Sequence, residues 1–149
     1  MDIVSPQLRS RMMASVKSKN TAPELWLRRG LHALGFRYRV HVKDLPGKPD
    51  LVFPRRRKVI FVNGCFWHGH NCKKGRLPET RKDFWRDKIA SNKERDERNV
   101  RTLVSMGWRV LIVWECATRN PLMLEYCRSW LTGSELSTTA RMELGLDND

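Results

Sequence analysis

The sequence predicts an α/β or α+β protein in which helices flank a mixed β-sheet. Two observations favour this class: apolar runs of strand length, and longer segments whose apolar residues recur at helical spacing, interleaved along the chain. With 149 residues, the chain is long enough for one domain with a substantial core. We expect a single domain over residues 1–133 and a loose polar tail over residues 134–149.

Local patterns place the individual elements. Thr21 and Glu24 form a capping box at the start of a helix that Gly35 ends. A long charged helix ends before Gly107, and the continuous apolar run after it is typical of a strand buried on both faces. The predicted helices cover residues 6–17, 21–34, 81–106 and 121–131, and the predicted strands cover residues 36–42, 50–53, 59–63 and 108–115.

The charge balance points to a polyanionic partner. Lys and Arg number 29 against 16 Asp and Glu, which gives a formal charge of +13. Such a charge favours nucleic acid, with an anionic membrane surface as the alternative. The chain has no long apolar span and no basic amphipathic tail, so we expect no membrane contact. The first residues lack the apolar core of a signal peptide, so we expect an intracellular protein.

Three carboxylates lie on predicted buried helix faces or at a strand end, where a charged side chain needs a specific role. Asp96 either forms a salt bridge with an Arg, or it orients a histidine or holds a metal, because an unpaired buried carboxylate is costly. Glu24 is either a helix cap or a functional group on a buried face. Asp50 follows Pro49, which favours an extended Lys48, and it either closes the turn or faces a metal. The face of the long helix that contains Asp96 also carries Trp85, Ile89, Asn92, Val100 and Leu103.

The stretch GCFWHGHNC, residues 64–72, carries side chains suited to a metal. Its two thiols and one imidazole are spaced C-x4-H-x-C, and another thiol follows the last predicted buried strand. Four nitrogen and sulfur ligands suit a tetrahedral structural zinc, and the alternative is a set of unlinked buried thiols. The candidate ligands are Cys65, His70, Cys72 and Cys116.

A metal bound in this way would stiffen the loop that contains Phe66, Trp67 and His68. Stiffness would hold His68 in register as a base. It would also let the two adjacent rings enter a base stack, since unstacking costs about a few kcal/mol per step. Packing in the core is the alternative for both rings.

In five segments the chain resembles the very short patch repair (Vsr) DNA mismatch endonucleases. The segments are LPGKPDLVF, VIFVNGCFWHGHNC, TRKDFW, NKERDERNV and MGWRVLIVWECA, and the likeness extends to about residue 131. The resemblance implies a restriction-endonuclease-like fold, with a mixed sheet flanked by helices and a structural zinc site. It implies a bacterial, cytoplasmic and nucleoid-associated monomer that nicks the strand 5′ to the T of a T·G mismatch, which arises when 5-methylcytosine deaminates. Its substrate would be mismatched double-stranded DNA, with mismatch-repair proteins as partners.

By matching position, the resemblance assigns a role to each candidate residue. Asp50 and the Val62 carbonyl would bind two Mg²⁺ ions, and Glu24 would hold water in their coordination shell. His68 would be the general base or water-positioning group, with Asp96 behind it. One structural Zn²⁺ would be bound by Cys65, His70, Cys72 and Cys116. DNA would be contacted by Phe66, Trp67, Trp85 and, on an N-terminal helix within residues 1–20, Met13.

Two positions depart from the family pattern: Val62 replaces a Thr, and Asn63 replaces a His. A backbone carbonyl ligand survives the first change, whereas Asn63 can donate a hydrogen bond but carries no charge. We therefore expect Asn63 to change the rate of catalysis more than the type of reaction. Two alternatives stay open: a restriction-type nuclease that cuts a specific site in both strands, and a noncatalytic zinc-bearing DNA-binding protein.

Overall fold

The computed structural model of the chain describes residues 20–133 and 140–146. Within these ranges the helices are α1 (Ala22–Ala33), α2 (Lys82–Ser105) and α3 (Pro121–Thr132). The strands are β1 (Leu51–Phe53), β2 (Lys58–Asn63), β3 (Arg109–Trp114) and β4 (Arg141–Leu144). The predicted helix at residues 6–17, with Met13, lies outside the described residues. No described helix is both long and apolar enough to cross a membrane.

The four strands form one mixed sheet in the order β1-β2-β3-β4, so the predicted α/β class with a mixed sheet is confirmed. β1 is antiparallel to β2, whereas β2, β3 and β4 run parallel. The β2–β3 ladder runs from Lys58 opposite Arg109 to Asn63 opposite Trp114. Parallel strands need a crossover connection, which α2 supplies between β2 and β3. The carboxyl ends of β2 and β3 therefore meet at one edge of the sheet.

Two apolar clusters, one on each face of the sheet, hold the layers together. Leu27 of α1 and Trp130 of α3 pack on one face, and Val100 and Leu103 of α2 pack on the other. Successive side chains of β3 contribute to the two clusters in turn, so this strand is buried on both faces, as its apolar run predicted. Four of the six tryptophans are buried in the described protein: Trp85, Trp108, Trp114 and Trp130.

Residues 36–42 do not form the predicted strand. Their pairing with the sheet is an isolated bridge between Arg39 and Val52, with two backbone hydrogen bonds of 2.9 Å. His41 has a φ of +58°, a left-handed conformation that interrupts an extended chain. The alternation of side chains in this segment was therefore a misleading signal.

The described part of the C-terminal tail, residues 140–146, contains a strand that we did not expect. Residues Arg141–Leu144 form β4, which pairs with β3 from Val110 opposite Arg141 to Val113 opposite Leu144. Four residues of mixed polarity give no periodic signal of their own. The strand forms because the edge of β3 supplies backbone hydrogen-bond partners for it.

Basic residues at the start of β2 and in the turn before it stabilise the ends of two helices. Lys58 is 3% exposed, and its ammonium group donates hydrogen bonds at the end of α3. Arg57 donates a hydrogen bond of 3.0 Å to the Met106 carbonyl at the end of α2. Unpaired carbonyls and the helix dipole both favour a cation at this end of a helix. The acceptors of Lys58 are the carbonyl oxygens of Trp130 (2.7 Å), Leu131 (3.1 Å) and Gly133 (3.0 Å).

We predict that Lys58→Met lowers the free energy of unfolding by about 1–3 kcal/mol or more, because buried carbonyls at the end of α3 lose their donor. Arg55→Met is the matched control, since Arg55 lies in the turn just before β2 and is exposed. The control should change stability by less than about 0.5 kcal/mol. Urea unfolding of both variants measures the difference. Equal stability of the two variants would contradict the structural role of Lys58.

Candidate active site and metal centre

The six residues predicted for catalysis and Mg²⁺ binding line one cleft with a volume of 630 Å³. The cleft borders the last three residues of β2, at the sheet edge where β2 and β3 end. The six come from α1, the turn before β1, β2 itself, the loop after β2, and α2. They are Glu24, Asp50, Val62, Asn63, His68 and Asp96.

The turn before β1 sets the position of Asp50. Gly47 and Lys48 have φ values of +76° and +50°, so Lys48 is not extended as its place before a proline predicted. Pro49 is fully buried and anchors the turn to the core. The backbone N–H of Val62 donates a hydrogen bond of 2.6 Å to Oδ2 of Asp50. The Asp50 carboxylate is thereby fixed against the end of β2.

Asp50 and Glu24 form a pair of carboxyl groups in the wall of the cleft. Burial, and then a hydrogen bond with Glu24, raise the pKa of Asp50 to about 8. Two carboxylates this close in a poorly solvated site do not both ionise unless a cation neutralises them. A divalent ion with a preference for oxygen ligands, such as Mg²⁺, fits this donor set. The residues present are therefore suited to a hard metal ion.

Glu24 caps the start of α1 and is also buried in the wall of the cleft. Its backbone N–H donates to Oγ1 of Thr21 at 3.4 Å, which is the predicted helix cap. Its Oε2 accepts a hydrogen bond of 2.8 Å from the backbone of Asn20 and also pairs with Arg28, one turn further along α1. Glu24 is 2% exposed, so a charged partner is required. The spacing of four residues was the sequence signal for Arg28, which we had not singled out.

His68 and Asp96 form a second pair across the cleft wall. Nδ1 of His68 lies 2.5 Å from Oδ2 of Asp96, while Oδ1 accepts a hydrogen bond of 3.3 Å from Arg95. The carboxylate on the inner face of α2 is thus paired with a histidine as well as with an arginine. A carboxylate beside Nδ1 assigns the ring proton to Nδ1, which leaves Nε2 with a lone pair that can accept a proton.

The four predicted zinc ligands converge on one point. One ligand atom from each residue lies within 4.8 Å of all the others. A tetrahedral zinc with Zn–S bonds of about 2.3 Å separates two sulfur ligands by about 3.8 Å, so the set fits zinc after small movements. Burial raises the pKa of the Cys65 thiol, and metal binding would displace its proton. Cys127, the remaining thiol, lies in the apolar cluster under α3.

The loop that carries three of these ligands is folded into consecutive turns. Backbone hydrogen bonds of 2.9–3.3 Å connect residues 64–75. Gly75 is required here, because a Cβ atom would lie 1.9 Å from the carbonyl oxygen of His70. Asn92, on the inner face of α2, donates a hydrogen bond of 2.9 Å to the carbonyl of Trp67. The loop is therefore attached to α2 as well as to the cluster of ligands.

Phe66 and Trp67 rest on Trp85 in edge-to-face contacts. The ring centroids are 5.1 Å apart for Phe66 and Trp67, 5.3 Å for Phe66 and Trp85, and 5.9 Å for Trp67 and Trp85. Trp85 is 5% exposed, whereas Phe66 and Trp67 are partly exposed. Phe84, which we had not singled out, is 46% exposed and contacts Trp85 at 5.1 Å. Trp85 is thus buried beneath rings that reach the surface, which disfavours the direct DNA contact that we expected of it.

The cleft also contains basic and amide side chains that the sequence did not distinguish. In a chain with 29 Lys and Arg residues, neither charge nor spacing separates cleft cations from others. Two of these residues did have a local sequence signal: Arg28, four residues after Glu24, and Lys48, which adjoins Pro49 and Asp50 in the turn before β1. Paired carboxylates, an oriented imidazole and nearby cations can together bind and hydrolyse a phosphodiester. The additional residues are Arg28, His41, Lys43, Lys48, Arg95 and Asn99.

Comparison with known proteins gives a family match. Residues 1–74 match the family model described as DNA mismatch endonuclease Vsr. The chain is 41% identical over 142 residues to DNA mismatch endonuclease Vsr of Escherichia coli K12, covering 91% of each chain. It is 54% identical over 115 residues to type II nicking enzyme V.XorIIP of Xanthomonas oryzae pv. oryzae, covering 77% of this chain and 85% of the relative. It is 44% identical over 119 residues to type II nicking enzyme V.NmeAIP of Neisseria meningitidis, with 80% and 85% coverage.

We predict that the purified chain holds about one zinc ion and that Cys72→Ser loses it, because the variant lacks one of four ligands. The melting temperature should fall as well, since structural zinc binding contributes directly to folding. Cys127→Ala is the matched control: this thiol is buried but lies outside the cluster, so zinc should stay bound. Elemental analysis of the three proteins would contradict the assignment if it found no zinc, or the same zinc content in both variants.

Proposed function

The chain belongs to the DNA mismatch endonuclease Vsr family, and we propose that it nicks one strand of duplex DNA 5′ to the T of a T·G mismatch by Mg²⁺-dependent hydrolysis. Family membership makes the chain a nuclease that acts on DNA. One observation carries the finer proposal: a single cleft holds the Asp50–Glu24 pair together with the His68–Asp96 pair. This combination supplies the groups that hydrolysis of a phosphodiester needs.

In this proposal, Asp50 and the carbonyl of Val62 would hold two Mg²⁺ ions, and Glu24 would hold water beside them. When bound, the ions would polarise the scissile phosphate and make water a stronger nucleophile. The hydrogen bond from Val62 fixes the orientation of the Asp50 carboxylate before any ligand binds. Arg28 pairs with Glu24 and offsets part of the negative charge that the two carboxylates bring to the cleft.

His68 would accept the proton of the attacking water at Nε2. Its Nδ1–H donates to Asp96, which orients the ring and stabilises the positive charge that forms on it. Asn63 is 7% exposed at the end of β2 and lines the same cleft. It would donate a hydrogen bond to a phosphate oxygen without adding charge. We therefore expect Asn63 to affect the rate and leave the type of reaction unchanged.

Phe66 and Trp67 would enter the base stack beside the mismatch, with Trp85 as the surface on which they rest. A mismatched step is cheaper to open than a paired one, so the rings would enter there at modest cost. Met13, which lies outside the described residues, would approach from the minor groove. The contacts with Trp85 support this proposal, because they hold both rings in a fixed orientation before DNA binds.

Further features of the proposal rest on the family resemblance. We propose a restriction-endonuclease-like fold, a single endonuclease domain, and a monomer that works with mismatch-repair proteins. The domain extends beyond the expected limit at residue 133, because β4 belongs to its sheet. The relatives from Xanthomonas and Neisseria are named as nicking enzymes, which favours cleavage of one strand over a restriction-type cut of both. The paired side chains of the cleft disfavour a noncatalytic DNA-binding protein.

Nicking assays on a panel of duplexes test the proposal. The duplexes share one sequence, carry T·G, the other mismatches or T·A at one position, and are labelled on each strand separately. We expect cleavage of the T strand 5′ to the mismatched T with Mg²⁺ and no cleavage with EDTA. Equal cutting of both strands of the T·A duplex would indicate a restriction-type enzyme. Binding without cleavage at any metal concentration would indicate a noncatalytic protein.

We predict that Asp50→Ala abolishes nicking while T·G duplex binding stays near normal or becomes tighter, because the metal ligand and a negative charge facing the phosphate are both lost. Asp44→Ala is the matched control, since Asp44 is exposed just before the same turn and does not line the cleft. Single-turnover nicking and equilibrium binding separate the two effects. An Asp50→Ala rate within about tenfold of the unaltered rate would remove Asp50 from the metal site.

We predict that Trp67→Ala weakens binding to a T·G duplex by about 1–3 kcal/mol, the usual worth of one base–aromatic stack. The loss should be smaller for T·A, because opening a paired step costs more. Trp26→Ala is the control, since Trp26 is another partly exposed tryptophan, lies on α1 and packs against the apolar cluster on the other face of the sheet from α2. A large fall in melting temperature with an unchanged T·G to T·A affinity ratio would show that Trp67 serves only the fold.

A further inference from the structure

The chain returns to the metal centre after β4. Of the four ligands, Cys65 and Cys72 are buried, whereas His70 and Cys116 are only partly buried. Solvent therefore reaches the centre from the side of His70 and Cys116. Gly145 and Leu146, which follow directly after β4, lie against these two ligands.

Leu146 contacts the centre through its backbone. Its N–H donates a hydrogen bond of 3.1 Å to Sγ of Cys116. An N–H donor stabilises a thiolate ligand because the negative charge on sulfur strengthens the hydrogen bond. The Leu146 side chain is 55% exposed, so burial of that side chain does not explain why the backbone lies here.

Gly145 leaves room for a close approach to the ligand ring. A Cβ atom at this position would lie 2.9 Å from both Cε1 and Nε2 of His70, and 2.9 Å from Cδ1 of Trp114. The His70 ring is itself stacked on Trp114, with 4.3 Å between centroids. A ring stacked on one side and needed as a ligand cannot easily move away. Position 145 therefore accepts a glycine and little else.

Polar contacts fix the position of this segment. Nε1 of Trp114 donates a hydrogen bond of 3.0 Å to Oε1 of Glu143. Arg141 forms two contacts with Glu97 of α2, at 2.6 and 2.8 Å. Together with the β3–β4 ladder, these contacts fix residues 145 and 146 in position beside the ligands.

We propose that Gly145 and Leu146 are part of the metal centre, where they stabilise Cys116 as a ligand and shield His70, so that metal retention depends on the C-terminal segment. This inference rests on the proposed zinc site. Groups that contact metal ligands in this way typically contribute about 10–100-fold to metal affinity. The segment would thereby stabilise the loop that carries His68, although it lies outside the catalytic cleft.

The test compares variants with and without the backbone N–H donor at position 146. Leu146→Pro removes the N–H donor, and Leu146→Ala removes most of the side chain but keeps the donor. The zinc-loaded full-length chain, without Mg²⁺ or DNA, is mixed with excess chromophoric chelator, and the rate of zinc release is recorded. We expect Leu146→Pro to release zinc about tenfold faster or more, and Leu146→Ala to stay within about twofold of the unaltered chain.

A second pair of variants guards against misfolding. Gly145→Val places a side chain against His70, whereas Met142→Val changes an exposed residue of β4. Faster release from Gly145→Val than from Met142→Val supports the proposal, provided that the zinc-free variants melt at similar temperatures. Equal release rates within each pair overturn it. If the unaltered chain holds no zinc, the proposed zinc site itself is wrong. If the unaltered chain holds zinc and all variants release it at the same rate, the zinc site stands and only the role of Gly145 and Leu146 is wrong.

Discussion

The geometry of the site depends on the convergence of three thiols and one imidazole at the edge where β2 and β3 end. Asn63 and Trp114 are paired as the last residues of these two parallel strands. Cys65 and Cys116 each follow two residues later, so the register of the ladder brings them together. Once a metal joins them to His70 and Cys72, residues 66–69 become a short closed loop with little freedom. His68, Phe66 and Trp67 all belong to that loop.

The electrostatics of the cleft follow from a second constraint, which is the burial of carboxylates in a strongly basic chain. Glu24, Asp50 and Asp96 all lie in one cleft. Burial, and then the hydrogen bond with Glu24, raise the pKa of Asp50. Arg28 and Arg95 each pair with a carboxylate, while Lys43 and Lys48 stay exposed at the cleft. The basic side chains around the cleft can thus attract phosphates, and the acidic ones inside it suit a divalent cation.

Sequence patterns predicted those parts of the protein that depend on local spacing. The inner position of Asp96 followed from helical periodicity in α2, and the candidate metal cluster followed from the spacing of Cys65, His70 and Cys72. Features that depend on tertiary partners were missed. β4 exists because β3 offers an edge, and Lys58 is buried because α3 ends beside it, neither of which composition reveals. The prediction of a strand at residues 36–42 was wrong, because the left-handed conformation of His41 interrupts the extended chain and cannot be detected from the alternation of side chains.

The central claim is that zinc positions the catalytic loop while a different ion serves the chemistry. It is tested most directly by removing zinc with a chelator, exchanging the chain into excess Mg²⁺, and returning zinc in small increments while the T·G nicking rate is measured. The account predicts no nicking without zinc, and a rate that rises with added zinc and levels off at about one ion per chain. A zinc-free chain that stays folded and nicks at the full rate with Mg²⁺ alone would contradict it.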